Sequence, residues 1–312
     1  MKPLSTASAP VASLSRNGLQ FPAPRGSSGA AFWTGTGFSV GERVDRVLSY
    51  DTGSSGWTDE LTDLHEGVDD EDHYMSVASR EQAVCALERC IEAPEPVILD
   101  IGCSSGYTLR LLRRRMPRAT LLGADYVRRP LEKLGAAIPD LPLFQFNLAD
   151  CPLQNESVDA AVLLNVLEHI EDDRRAIEQV YRILRPRGVV AIEVPAGPHL
   201  YDIYDRRLMH YRRYRLRELA DLMRRTGFEV VKASHLGFFL YAPFRVAKWR
   251  NRRLDRAPAE TQQAVINGSM RLLGHSPALH SLLAVERALG RWVSYPFGIR
   301  CIVVGRKAGH RS

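Results

Sequence analysis

The stretch that most constrains the fold is Val97-Ile98-Leu99-Asp100-Ile101-Gly102-Cys103-Ser104-Ser105-Gly106-Tyr107-Thr108. It opens on an apolar, β-branched run of the kind that forms a parallel strand buried on both faces, and it stops at a turn of small residues. After Gly106, Leu109, Leu111 and Leu112 lie among Arg110 and Arg113 to Arg115, an apolar stripe on a basic helix that Pro117 ends. Strand, glycine turn and helix in this order bring a helix N-terminus to the carboxyl end of a strand, where open α/β sheets bind ligands. Gly102 and Gly106 lack a Cβ and let a ligand approach the backbone closely. The carboxylate of Asp100 would repel a pyrophosphate there and attract an ammonium or sulfonium group.

Strand and helix patterns then alternate at βαβ spacing. Strands are predicted at Ala119–Asp125, Pro142–Asn147, Ser157–Leu164, Val189–Val194, Phe228–Ala233 and Arg300–Val304. Helices are predicted over Ser76–Ile91, Leu131–Ala137 and Asp172–Leu184, and between Tyr214 and Gly227. Right-handed crossovers make this a doubly wound α/β fold with helices on both faces of the sheet. More than sixty residues separate the last two strands, too many for a plain loop, so a helical insertion is expected over about Ala242–Ala288.

Outside this core, Met1 to about Gly41 is rich in Ser, Ala, Pro and Gly without periodicity. The expected division is an arm without fixed structure at 1–55, an acidic segment and N-terminal helix at 56–95, and the main domain at 96–310 with its insertion at about 240–295. The acids between Asp59 and Asp72 form a solvated segment or a lid over the basic C-terminal half. The net charge of +6 comes almost entirely from arginine and is unevenly spread, so local clusters say more than the total. Five cysteines without C-x-x-C spacing read as reduced, mostly buried thiols, and no metal motif is visible. No stretch approaches the ~18 apolar residues of a spanning helix, and no apolar leader follows Lys2. A cytoplasmic protein is expected.

Asp100, Gly102, Ser104 and Gly106 fill the places of the first motif of the class I S-adenosylmethionine-dependent methyltransferases, which the chain resembles, with Ser104 where a glycine is commoner. A dinucleotide fold, and with it a nicotinamide-dependent oxidoreductase, would want Gly-x-Gly-x-x-Gly, and here the last glycine comes one place early. Phe146-Asn147-Leu148, Leu164-Asn165-Val166-Leu167-Glu168-His169 and Arg185-Pro186-Arg187-Gly188 resemble later motifs of the same family, in order. The resemblance covers about a third of the chain. It implies a Rossmann-like sheet of seven strands, six parallel and one antiparallel, and S-adenosylmethionine as cofactor, S-adenosylhomocysteine as product, with no metal.

Carried over by position, Asp100, Gly102, Cys103, Ser104 and Gly106 hold the methionine end, Asp125 and Tyr126 the ribose side, and Asn147 and Leu148 the adenine. Asn165 lies at the methyl-transfer mouth. Asp125 could instead cap the helix that follows it, and Asp159 reads as a structural residue. His210-Tyr211-Arg212-Arg213-Tyr214 matches a stretch found in bacterial members of the superfamily, after the fifth strand and so over the mouth. Tyr201, Tyr204, Arg212, Arg213 and Tyr214 are the candidate acceptor-binding residues, the arginines as a clamp for phosphate or carboxylate. His210 is the candidate general base and His169 a second candidate catalytic residue. A solvated basic helix start with packing tyrosines is the alternative.

A small-molecule or lipid-linked acceptor is expected. Leu236–Arg256, which joins aromatic residues to Arg245, Lys248, Arg250, Arg252, Arg253 and Arg256, could lie on the inner face of an anionic membrane or form a core helix with a basic exit. Nucleic acid is not among the expected partners. An RNA methyltransferase would use the arginines on phosphates, but Asn165-Val166-Leu167-Glu168 stands where the Asn-Pro-Pro-Tyr type motif of exocyclic-amine enzymes would.

Overall fold

The computed structural model describes residues 21–24, 27, 30–50, 73–253, 257–258, 277–290 and 292–309. Four short strands come first: β1 (Phe32–Trp33), β2 (Phe38–Val40), β3 (Arg43–Asp45) and β4 (Leu48–Ser49). Helix α1 (Tyr74–Cys90) leads into β5 (Val97–Ile101), α2 (Tyr107–Arg115), β6 (Thr120–Asp125), α3 (Arg128–Ala137) and β7 (Leu143–Gln145). Then come β8 (Val158–Leu164), α4 (Asp173–Ile183), β9 (Leu184–Pro195), α5 (Ile203–Arg207), α6 (Leu216–Arg225), β10 (Phe228–Leu236), α7 (Tyr241–Arg252), α8 (Pro277–Leu289) and β11 (Arg300–Lys307).

The main sheet has the order β10-β11-β9-β8-β5-β6-β7-β4. Neighbours from β9 to β4 pair in parallel, whereas β11 is antiparallel to both β9 and β10. The doubly wound α/β class and its single antiparallel strand are as expected, and an eighth strand, β4, is added at one edge. Alternation along β5 sends Val97, Leu99 and Ile101 into one core cluster and Ile98 into the other. The first cluster packs α4 and α6 on the sheet, the second α1, α2 and α3. A third, smaller cluster seats the insertion, joining Tyr74, Met75 and Ala78 of α1 to Leu240, Leu283 and Ile299.

Asp159 holds the sheet as a structural residue should: its Oδ2 accepts the Val97 N–H at 2.8 Å and pairs with Arg185 at 2.6 Å. Where the insertion is described it includes two helices, α7 and α8. The acidic run Asp59–Asp72 lies outside the described residues.

The arm expected at 1–55 is corrected for its second half. β1, β2 and β3 form a small antiparallel sheet whose Trp33 and Phe38 are buried against Phe21 and Phe144. β4 adds itself in parallel to β7. These strands of two or three residues sit in a Gly- and Ser-rich context, so periodicity cannot reveal them. Aromatic burial and one side chain hold them in place. Arg46 donates from Nε to Gly135 O at 3.2 Å, and from one terminal nitrogen to Ile138 O at 2.8 Å and Leu141 O at 3.0 Å, satisfying carbonyls at the end of α3. Replacing Arg46 by alanine leaves these acceptors without their donor and is expected to lower unfolding free energy by ~1–3 kcal/mol. Denaturant titration followed by fluorescence checks this.

Candidate active site

The turn after β5 is strained in a specific way. Gly102 and Gly106 have φ of +75° and +74°, and Ser104, standing where the resemblance leads one to expect glycine, also has positive φ, +40°. A Cβ on Gly102 would come within 2.5 Å of Val166 Cγ2, and one on Gly106 within 2.5 Å of Leu134 Cδ1. The turn's own N–H groups are largely engaged: Gly102 and Cys103 donate to Ala124 O, Ser104 to Asp125 Oδ2 and Gly106 to Cys103 O. A ligand here therefore meets few waiting donors in the turn, and Val166 packed against Gly102 leaves no room for a side chain there.

Asp100 is buried and its Oδ2 has no hydrogen-bond partner. Burial, reinforced by the charge of Asp125 and opposed by Arg80, pushes its carboxyl up to about 8. Burial likewise lifts the Cys103 thiol well above its ordinary value, which removes it as a nucleophile. Asp125 accepts Ser104 N–H on one oxygen and Val127 N–H on the other, both at 3.0 Å. The two bonds fix the carboxylate at the tip of β6, while the N-cap of α3 is Val127 and receives no side-chain cap. Tyr126, next in line, is half-buried. Asn147 caps a short turn by accepting Ala149 N–H at 3.0 Å, and Leu148 is buried behind it. Asn165, φ +55°, lines the same cavity as Asp100, Gly102, Cys103 and Ser104.

Two charged residues of the cavity belong to none of the sequence motifs. Arg80, from α1, is 9% exposed, and its guanidinium lies 5.3 Å from the Tyr107 ring centroid. Arg300, from β11, reaches the same cavity and pairs with buried Glu193 at 3.0 Å. Both come from elements distant in the chain, so no local motif announces them. Together with Asp100 they give the cavity one acid and two cations.

The segment after β9 is built around Asp205. This buried carboxylate accepts from Arg213 Nε at 2.7 Å, from Asp202 N–H at 3.0 Å and from Lys248 Nζ at 3.2 Å, and Oδ1 lies 2.8 Å from His210 Nδ1. Lys248 also reaches Asp202 Oδ1 at 2.6 Å. These cations and the His210 contact hold the Asp205 carboxyl well below the usual carboxylate range despite its burial. Burial lowers the affinity of His210 for a proton, so at neutral pH its imidazole is uncharged and the bond to Asp205 leaves a lone pair on Nε2.

This network corrects several expectations. Arg213 is 7% exposed and bound to Asp205 and Ala196 O, so it is not a clamp for an acceptor. Arg212 is bound to Glu171 O and Asp173. Tyr214 is buried, its hydroxyl on Asp173 Oδ2 at 2.8 Å. Lys248 is buried rather than part of a basic surface. Tyr201 donates to His210 O, Tyr204 lies under Lys248 Nζ, and neither lines the glycine-turn cavity. Glu168, His169 and His210 come together, the two imidazoles edge to face with centroids 4.7 Å apart. Burial pushes the Glu168 carboxyl up to about 8.

Residues 73–233 match the family described as methyltransferase domain, just over half of the 312 residues. The chain belongs to this methyltransferase family. The "Probable S-adenosylmethionine-dependent methyltransferase" of Mycolicibacterium smegmatis is 32% identical over 135 residues, 43% of this chain and 52% of that protein. The trans-aconitate 2-methyltransferase of Deinococcus radiodurans is 34% identical over 106 residues, 34% of this chain and 40% of that protein. The chain thus spans about half or less of these curated relatives. The fold is shared with the solved 1,6-didemethyltoxoflavin-N1-methyltransferase of Burkholderia thailandensis, at TM-score 0.50 and 16% identity over 80% of this chain and 86% of that one.

The methyltransferase match begins at the start of α1 and ends within β10, so Arg80 and the Asp205 segment fall inside it. The N-terminal sheet, α7, α8 and β11 lie outside the matched residues. Lys248 joins the two parts. Replacing it by alanine leaves Asp202 and Asp205 short of a cation and is expected to destabilise the fold by ~3–5 kcal/mol. Arg250→Ala, at an exposed position on the same helix, should change stability by less than ~0.5 kcal/mol. Thermal unfolding of the two variants side by side makes the comparison.

Proposed function

We propose that the chain transfers the methyl group of S-adenosylmethionine to an oxygen, nitrogen or carbon of a small-molecule or lipid-linked acceptor, releasing S-adenosylhomocysteine. One observation carries this reading: a buried, partly unsatisfied Asp100 faces a cavity that Arg80 and the backbone of Gly102 also line. A zwitterionic amino-acid end fits such a cavity, its ammonium on Asp100 and its carboxylate on Arg80. Asp125 at the next strand tip is the carboxylate for the ribose hydroxyls, and Asn147 and Leu148 flank the adenine position.

When bound, the cofactor supplies an electrophilic methyl group on a sulfonium. The chain's part is to exclude water, fix the orientation and place an acceptor in line, an effect that can contribute ~7–11 kcal/mol in well-aligned reactions. We assign the acceptor side to His169, four residues after Asn165, and to His210, whose ring packs on it. The membership in the family and the names of the curated relatives support this chemistry. The arginines argue against an RNA substrate, because many are bound to the chain's own carboxylates, as in Arg115 with Glu88, Arg185 with Asp159 and Arg213 with Asp205.

For a lipid-linked acceptor, α7 offers a suitable face. Val246 and Trp249 are exposed, Arg253 stacks 3.8 Å from the Trp249 ring centroid, and Arg245, Arg250 and Arg252 are exposed nearby. No helix among the described residues is long and apolar enough to cross a membrane, so the contact we propose is peripheral. Anionic lipid faces the cytoplasm, which is where we place the chain. Flotation with anionic liposomes is expected to carry the protein, and a variant with Arg250, Arg252 and Arg253 changed to glutamate is expected to stay behind.

Asp100 makes cofactor binding depend on pH. Below about 8 its carboxyl is protonated in the empty site. An incoming ammonium favours the carboxylate, so binding there releases a proton. Affinity for S-adenosylhomocysteine should fall as pH drops from 8.5 to 6.5, by at most about tenfold per unit. Calorimetry in two buffers of different ionisation enthalpy should show the released proton. Asp100→Asn should bind more weakly with no proton released, and Arg80→Ala should lose about tenfold or more in affinity. Unchanged affinity in both variants would overturn this placement of the cofactor.

A further inference from the structure

We infer that Glu168, His169 and His210 form a binding site for one divalent transition-metal cation beside the cofactor cavity. Each residue offers a ligand atom, and these atoms lie within 4.8 Å of one another. Two ligands of one zinc-like ion at ~2.0–2.2 Å stand roughly 3–4.4 Å apart, so small side-chain shifts close the site. Two imidazoles and one carboxylate suit zinc, iron(II), cobalt or manganese better than magnesium or calcium, which prefer all-oxygen shells.

Glu168 provides the second, independent observation. Its side chain is fully buried, yet neither carboxylate oxygen has a hydrogen-bond partner. Three other buried acids are matched: Glu193 with Arg300, Asp202 with Lys248, and Asp205 with Arg213 and Lys248. An interior carboxylate left without a bond is costly, and a cation in the gap beside it would remove that cost. The turn that carries it is fixed, because Glu168 O accepts Tyr211 N–H at 2.8 Å and His169 N–H bonds Val166 O at 3.0 Å.

His210 is prepared for the role. Metal-binding imidazoles commonly give their other N–H to a carboxylate, which sets the tautomer and the ring orientation. His210 Nδ1 has that carboxylate in Asp205, itself locked by Arg213 and Lys248, leaving Nε2 for the ion. His169 is half-exposed, which gives an ion a way in.

The binding site does not depend on the methyl-transfer reading, but its use does. Asn165, three residues before Glu168, lines the cofactor cavity, so an ion here would stand where an acceptor is needed. A hydroxyl of the acceptor bound to an open position of the ion would lose its proton to solvent at lower pH. Its oxygen would then form the bond to the methyl carbon as the carbon–sulfur bond breaks and its electron pair stays on sulfur. His210 would in that case orient the ion rather than take the proton.

The test uses the full chain, stripped with chelator and passed through desalting. Zinc binding is measured by equilibrium dialysis with elemental analysis, and cobalt binding by its visible absorption. One equivalent per chain is expected, with affinity reduced at least about tenfold in Glu168→Gln, His169→Gln and His210→Gln, and about 10–100-fold in Asp205→Asn. Cys85→Ser, at a half-buried thiol outside the glycine-turn cavity, should bind as before, which separates this site from stray thiols. If Glu168→Gln fails to fold, His169→Gln at the half-exposed position decides.

Absence of bound metal at micromolar concentrations, or binding unchanged in the folded His169 and Glu168 variants, overturns the proposal and leaves a water molecule as the occupant of the gap. S-adenosylhomocysteine uptake, measured in the same samples, keeps the two readings apart. Uptake without metal defeats only the ion site, and metal without uptake defeats only the cofactor assignment.

Discussion

Parallel strands all end at the same edge of a sheet, and everything chemical in this chain follows from that. β5, β6 and β8 run in register, Asp100 beside Gly123 and Val162, so their carboxyl ends deliver Asp100, Asp125 and Asn165 to one rim. The backbone there must turn sharply, and positive φ at Gly102, Ser104, Gly106 and Asn165 is the cost of doing so in few residues. The hydrophobic clusters on the two sheet faces supply the stability that lets such strain, and an unsatisfied Asp100, persist.

Around this rim the charges are arranged in two different ways. On one side, Asp100 and Arg80 line the same cavity, and Asp100 Oδ2 is unbonded there. On the other side Asp202, Asp205, Arg213 and Lys248 face one another, and neutralise themselves as a buried lattice. A buried lattice of this type adds little net stability but is unforgiving of losing one member, since the remaining charges then lie uncompensated. It fastens α7 of the insertion to the segment over the mouth, and it fixes the ring of His210.

What the sequence reveals and what it hides divide along the range of the interactions. The β5 strand, its glycine turn, the successive βαβ units and the helical insertion are legible because each is encoded by neighbours in the chain. Asp159 could be read as structural for the same reason. The Arg80 and Arg300 contributions, and the meeting of Glu168 with His210, are tertiary and leave no spacing to notice. A basic, aromatic stretch does not say which side chains turn inward, so the sequence cannot tell an acceptor-binding Arg213 and Tyr214, or a membrane-facing Lys248, from the buried groups they are. β1 to β4 were passed over because two- or three-residue strands carry no period, and their hold comes from Arg46 and from the rings of Phe21, Trp33 and Phe38.

The pairing of β4 with β7 bears on how this chain can be handled as a fragment. Ser49 Oγ donates to Gln145 Oε1 at 2.7 Å and Tyr50 N–H to Gln145 O at 2.8 Å, so residues 48–50 cap the outermost rung of the parallel ladder. Trimming the protein to the boundaries of its family, starting at residue 73, would strip that cap and bare a row of main-chain donors and acceptors on a strand whose Leu143 and Phe144 are wholly buried. Naked ladders of this kind recruit one another, so the shortened fragment would tend to self-associate even though every group at the cofactor rim were still present.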